Sequence, residues 1–158
     1  MADISSAKVR EVISDFFSVI PGAAGDDLLK KVVLVDDSYS PISRDELLAL
    51  ARGNLLKAPP GAPTTQITDC DDYALQLKAA ANMVYRQRYF DGKAQPLPPA
   101  VAIVISQNHA VNFFIEQDSQ GKNSLWFIDA SAPALPPTND PVQAAQMMRK
   151  PPVKFIQM

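Results

Sequence analysis

The stretch at residues 68–86, TDCDDYALQLKAAANMVYR, decides how this 158-residue chain is read. Cys70, Ala74, Leu77, Ala81 and Val84 recur at a 4-3-4-3 spacing, which lines them along one face of an α-helix. Thr68 or Asp69 can cap that helix. Asp71 and Asp72 then fall in its first turn, where the helix dipole favours carboxylates. Cys70, the only cysteine of the chain, sits at the top of the buried stripe and points inward from the helix N-terminus. Three aspartates crowd this single thiol.

Working outward, Val9, Val12, Ile13, Phe16, Phe17 and Ile20 repeat at helical spacing, which predicts a helix over 5–20 that Pro21-Gly22 stops. KKVVLV (30–35) reads as a short strand. Ser43 and Glu46 have the capping-box spacing of a helix running to about Arg52, with Gly53 at its end. Downstream the character changes. VAIVIS (101–106), AVNFFIE (110–116) and SLWFIDA (124–130) are β-branched and aromatic runs separated by turn residues. The last two should form a hairpin, and VKFIQM at the C-terminal end adds a strand. APPGAP (58–63), PLPP (96–99) and SAPALPPTNDP (131–141) read as extended loops. The expectation is one α+β domain over residues 1–158, with helices first and then an antiparallel sheet against which a helix packs.

Composition narrows the function classes. Hydrophobic residues make up 47% and charged residues 20%, as in a soluble globular protein. A net charge of -2 without any basic run argues against nucleic acid or an anionic membrane surface as partner. No apolar run reaches transmembrane length, and the first twenty residues lack the form of a signal peptide, so the expected compartment is cytoplasmic. A single cysteine forms no internal disulfide.

A cysteine nucleophile needs a nearby base and a field that favours thiolate. The helix N-terminus supplies the field, and His109, the only histidine, can supply the imidazole. Asp129 is the candidate to orient it. In the expected hairpin, opposed residues have a constant number sum of about 240, which puts His109 opposite residue 131 and Asp129 one diagonal step away. Singly, each residue has a plainer reading. A lone cysteine is a small core hydrophobe, a strand-end histidine a surface group, and an aspartate before a proline-rich loop a turn former. Their conjunction points to a site.

These residues also carry a resemblance. DCDDYAL, followed by HAVNFFI and WFIDAS, resembles the papain-like and transglutaminase-like cysteine enzymes. More narrowly it is similar to bacterial cysteine proteases of the LapG type and to the C-terminal protease domain of Marasmius-type fungal agglutinins. The similarity covers about residues 64–132. It implies a papain-like fold with the nucleophile at a helix N-terminus. It further implies Cys70 as nucleophile, His109 as general base, Asp129 as orienting acid, and a protein or peptide substrate. The papain pattern places its oxyanion-hole glutamine six residues before the cysteine, whereas Gln66 lies four before it. The Cys70 N–H is the better expected donor.

Asp69, Asp71 and Asp72 work against the thiolate, because negative charge raises a thiol's pKa. A bound cation would remove that conflict, and calcium prefers oxygen ligands. The resembling families include calcium-dependent members, so a calcium site at these acids, completed by loop carbonyls or by Asp36 and Asp37, is a further expectation. The His and Cys pairs of a structural zinc site are missing. The leading function is thus a cysteine peptidase or amidase. The alternatives are transglutaminase-like acyl transfer, a non-catalytic binding or assembly module that keeps Cys70 and His109 idle, and a calcium-stabilised scaffold.

Overall fold

The alternation of residues along the strands from 101 to 128 builds a sheet with two buried faces. The computed structural model describes residues 2–20, 27–53, 69–93, 96–149 and 153–158. Strands β4 (Val101–Ile105), β5 (Ala110–Gln117) and β6 (Asn123–Ile128) pair antiparallel in sequence order. Phe113 lies opposite Phe127, a number sum of 240, so the hairpin has the register expected of it. Gly121, at φ +78°, adopts the left-handed backbone that the turn between β5 and β6 requires.

The five-stranded sheet has the order β2-β7-β4-β5-β6, where β2 is Val32–Val33 and β7 is Phe155–Gln157. β7 runs antiparallel to β4 but parallel to β2. The expected purely antiparallel sheet is therefore corrected to a mixed one. Only two residues of KKVVLV join the sheet, because Leu29–Lys31 forms a 3-10 turn just before them. A separate two-stranded pair joins β1 (Ile4–Ser5) to β3 (Ser38–Tyr39).

Two helices cover one face. Helix α1 (Ser6–Ser18) starts at Ser5, whose hydroxyl accepts from the Lys8 N–H, and it buries Val9, Ile13 and Phe17. These pack with Ala102 and Val104 of β4, Val111 and Phe113 of β5, and Phe127 of β6. Each large apolar side chain so buried contributes about 1.5–3 kcal/mol. Ala144 of helix α4 (Pro141–Met147) joins the same cluster. That helix was hidden behind the proline-rich loop. Asp140 caps it by accepting from the Gln143 N–H, and Pro141 occupies the first turn, where its missing N–H costs nothing.

The alternate residues Val101, Phe114 and Ile128 face the other way. They meet Leu47 and Ala51 of helix α2 (Arg44–Arg52) and Leu77, Ala81 and Tyr85 of helix α3 (Cys70–Phe90). Ser43 caps α2 by accepting from the Glu46 N–H, and Gly53 ends it, as its sequence predicts. The result is α+β: a mixed sheet between α1 and α4 on one side and α2 and α3 on the other. Pro21-Gly22, APPGAP and Thr68 lie outside the described residues.

Candidate functional site

Helix α3 begins at Cys70 because Asp69 caps it. The Asp72 carboxylate accepts from the Asp69 N–H at 3.4 Å in a capping-box arrangement. Cys70 is half-buried and packs beside Ala74, Ile103, Ile105 and Ala110, so the sulfur does point into the interior. Its Sγ accepts from the Ala110 backbone N–H at 3.3 Å. The helix start therefore docks onto the first residue of β5.

His109 is the residue before Ala110. Its side chain is only 1% exposed, and Nε2 meets Asp129 Oδ2 at 2.7 Å. The even number sum of the hairpin puts the two on one sheet face, which is what the contact requires. The second carboxylate oxygen of Asp129 accepts from Ser131 N–H at 2.9 Å and Ser131 Oγ at 2.6 Å. Burial pushes the Asp129 carboxyl up, but hydrogen bonds from His109 and Ser131 outweigh it and hold the group below its ordinary value. The backbone of His109 is also fixed: its carbonyl accepts from the Ser106 N–H, and Ser106 Oγ lies within hydrogen-bond distance of the His109 and Met148 carbonyls.

The structure brings Cys70, His109 and Asp129 into one locality, but it does not join the first two. The sulfur is engaged by a backbone amide, and among the described residues the buried Nδ1 of His109 has no hydrogen-bond partner. Gln66 lies outside the described residues. The acids named in the calcium expectation have hydrogen-bonding contacts of their own. Asp69 and Asp72 serve the helix cap, while a hydrogen bond with Asp69 raises the Asp71 pKa, helped by slight burial and by the charges of Asp69 and Asp72. Asp36 and Asp37 use their carbonyls to hold Ser6. Among the described residues no group of three or more His, Cys, Asp or Glu side chains is placed to hold a metal ion.

Three polar residues of the locality escaped the sequence reading. Asn112 is fully buried, and its Nδ2 donates to Ala74 O on α3 at 2.9 Å and to Ala102 O on β4 at 3.1 Å. An amide inside the apolar run AVNFFIE was its signal. Ser131 was legible as the third residue of Asp-Ala-Ser, a common turn in which the aspartate accepts from the backbone two residues on. Ser106 carried no signal.

No family model and no curated protein matches the chain. Solved structures do. One, described as a PSL1a–E64 complex, is 19% identical with a TM-score of 0.65 over 99% of this chain and 50% of that chain. Another is Polyporus squamosus lectin bound to the human-type influenza-binding epitope Neu5Acα2-6Galβ1-4GlcNAc, 17% identical with a TM-score of 0.60 over 99% of this chain and 49% of the other. This fold also occurs in a lectin. The chain spans about half the length of the structures it matches.

That finding corrects the peptidase expectation. The matching structures are a lectin's, and no family model or curated relative supports a papain-like cysteine protease. The hydrolase and thiol-protease reading, and the peptide substrate that came with it, are withdrawn. No hydrogen bond links the Cys70 thiol to the His109 imidazole in this structure. Among the described residues no helix is long and apolar enough to cross a membrane.

Proposed function

We propose that this chain is a non-catalytic binding module whose ligand class is carbohydrate. The observation that carries the reading is the structural match over 99% of the chain to a lectin crystallised with a sialylated trisaccharide. The α+β scaffold, papain-like in its order of helices followed by sheet with Cys70 at a helix start, serves here as a platform. One feature of the thiol locality accords with the reading: the Cys70 sulfur is held by the Ala110 backbone amide, a bond that joins α3 to β5.

Isothermal titration of the protein with Neu5Acα2-6Galβ1-4GlcNAc and with Galβ1-4GlcNAc tests this directly. Saturable binding of either saccharide is expected. Absence of saccharide binding, together with peptide cleavage that disappears in Cys70→Ala, would overturn it.

A further inference from the structure

Helix α3 is apolar on two sides. Its inner face buries Ala74, Leu77, Ala81 and Tyr85 against the sheet and α2. Leu75, Ala79, Met83, Arg86 and Phe90 follow a 4-4-3-4 spacing, which sets a second row along the opposite face. That row is open. Leu75 is 57% exposed, Met83 71% and Phe90 66%, and Ala79 and Arg86 are exposed as well. The Arg86 guanidinium lies 5.5 Å from the centre of the Phe90 ring, so the one charged member of the row stays against apolar surface. A surface helix ordinarily turns polar residues away from its core. Single exposed apolar residues are common, but a continuous row of them along one helix marks an interaction surface.

We propose that this row is a self-association face, on which α3 of a second copy of this chain docks antiparallel. The inference is independent of what the module binds. The row is complementary to itself in that arrangement. About a two-fold axis between Asn82 and Met83, opposed positions share a number sum of 165. Leu75 then meets Phe90 of the second copy at each end of the apolar contact. Ala79 meets Arg86, and its single methyl leaves room for the long stem and lets the helices approach. Gln76 meets Tyr89, and Asn82 meets Met83 across the axis; all four are exposed. Asp72 comes to the end of the other helix, where the Lys93 side chain is 71% exposed. Two pairs of opposite charge thus flank the apolar row. A parallel alignment would set Asp71 and Asp72 of both copies together, and Arg86 on Arg86. A membrane surface is a poorer occupant, because Asp71 and Asp72 stand at the head of the row, where an interfacial helix carries cations.

Sedimentation equilibrium of the 158-residue chain over a series of protein concentrations tests this. A reversible equilibrium between the 17.2 kDa monomer and a species of twice that mass is expected. Met83→Glu sets two carboxylates near the axis in place of two apolar side chains and should weaken the dimer about a hundredfold. Lys93→Glu sets like charges against Asp72 at both ends and should weaken it about fivefold. Val142→Glu makes a similar change at a 62% exposed residue of α4, on the other side of the sheet, and should leave it unchanged. All three replaced side chains are exposed, and circular dichroism checks that each variant keeps its fold. A wild-type chain that stays monomeric at every concentration overturns the proposal. So does a dimer that Met83→Glu leaves intact or that Val142→Glu weakens as much. A dimer that responds to Met83→Glu but not to Lys93→Glu overturns the antiparallel register.

Discussion

Asp129 Oδ2 lies 2.7 Å from His109 Nε2, where the two side chains are only 5% and 1% exposed. Polar groups withdrawn from water this completely are costly unless bonded, and this bond satisfies Asp129 Oδ2 and His109 Nε2. Ser131 completes the arrangement by donating to the other carboxylate oxygen. The pair ties the start of β5 to the end of β6, directly beside the docking point of α3. Asp129→Ala should therefore cost about 3–5 kcal/mol of stability, as for other broken buried pairs. Urea unfolding measures this, and a loss below about 0.5 kcal/mol, the level of ordinary surface changes, would show that the pair holds nothing together.

The same pair sets a pH dependence. The folded protein depresses the Asp129 pKa, so folding favours the ionised carboxylate. Its contribution is fully present above the unfolded value, about 3.9. It is lost as pH falls through the lower folded value. Denaturation curves between pH 6 and pH 2 should steepen in wild type below about pH 4 and flatten in Asp129→Asn. Identical curves would contradict the assignment.

Tyr85 titrates at the other extreme. Its hydroxyl donates to Pro41 O at 2.8 Å, linking α3 to the segment before α2. Burial pushes its pKa up to about 12, reinforced by the Glu46 carboxylate and partly offset by Arg88. Because the folded value lies above the ordinary one of about 10, this contribution is present below pH 10 and fades as pH rises toward 12. Tyr85→Phe should cost about 1 kcal/mol at neutral pH by loss of the hydrogen bond. The variant should also show less alkaline destabilisation, read by ultraviolet titration alongside unfolding.

Asn112 fastens a helix to a strand. One amide group reaches the Ala74 carbonyl on α3 and the Ala102 carbonyl on β4, in a fully buried position. Asn112→Ala removes both side-chain bonds from one fully buried position. A loss of about 1–3 kcal/mol is expected, since each such hydrogen bond contributes about 0.5–1.5 kcal/mol net. Hydrogen exchange should place the loosening at the first turns of α3. Exchange raised equally over the whole sheet would instead indicate a general core defect.

The helices and strands were legible because their signals are local. Ser43 and Glu46 declare the start of α2 through side-chain capping. The hairpin register followed from one turn length, and from that register came the His109–Asp129 contact. The parallel pairing of β2 with β7 was not legible, because it joins Val32 to Ile156 and rests on packing across the molecule. Helix α4 was masked by prolines, although Asp140-Pro141 is a legitimate helix start. The motif around Cys70 placed the thiol at the start of α3, beside the strand that follows His109, but the peptidase activity read from it is not supported. A helix-capping pattern beside a buried thiol serves a structural joint as well as it serves a nucleophile, and nothing in the spacing of residues separates the two.

Cys70 is where that distinction is measured. Its sulfur fills a place beside Ala74, Ile103 and Ala110 and accepts one amide hydrogen bond. As a packing element it is replaceable. Cys70→Ala should fold normally and lose about 1 kcal/mol, since the Ala110 N–H forfeits a weak acceptor. Cys70→Ser, with a hydroxyl oxygen as acceptor, should recover part of that loss. Galβ1-4GlcNAc affinity should be the same in wild type and both variants, because the sulfur serves packing and one backbone hydrogen bond. A Cys70→Ala protein that melts like wild type but no longer binds the disaccharide would place the thiol in the ligand site, at the start of α3.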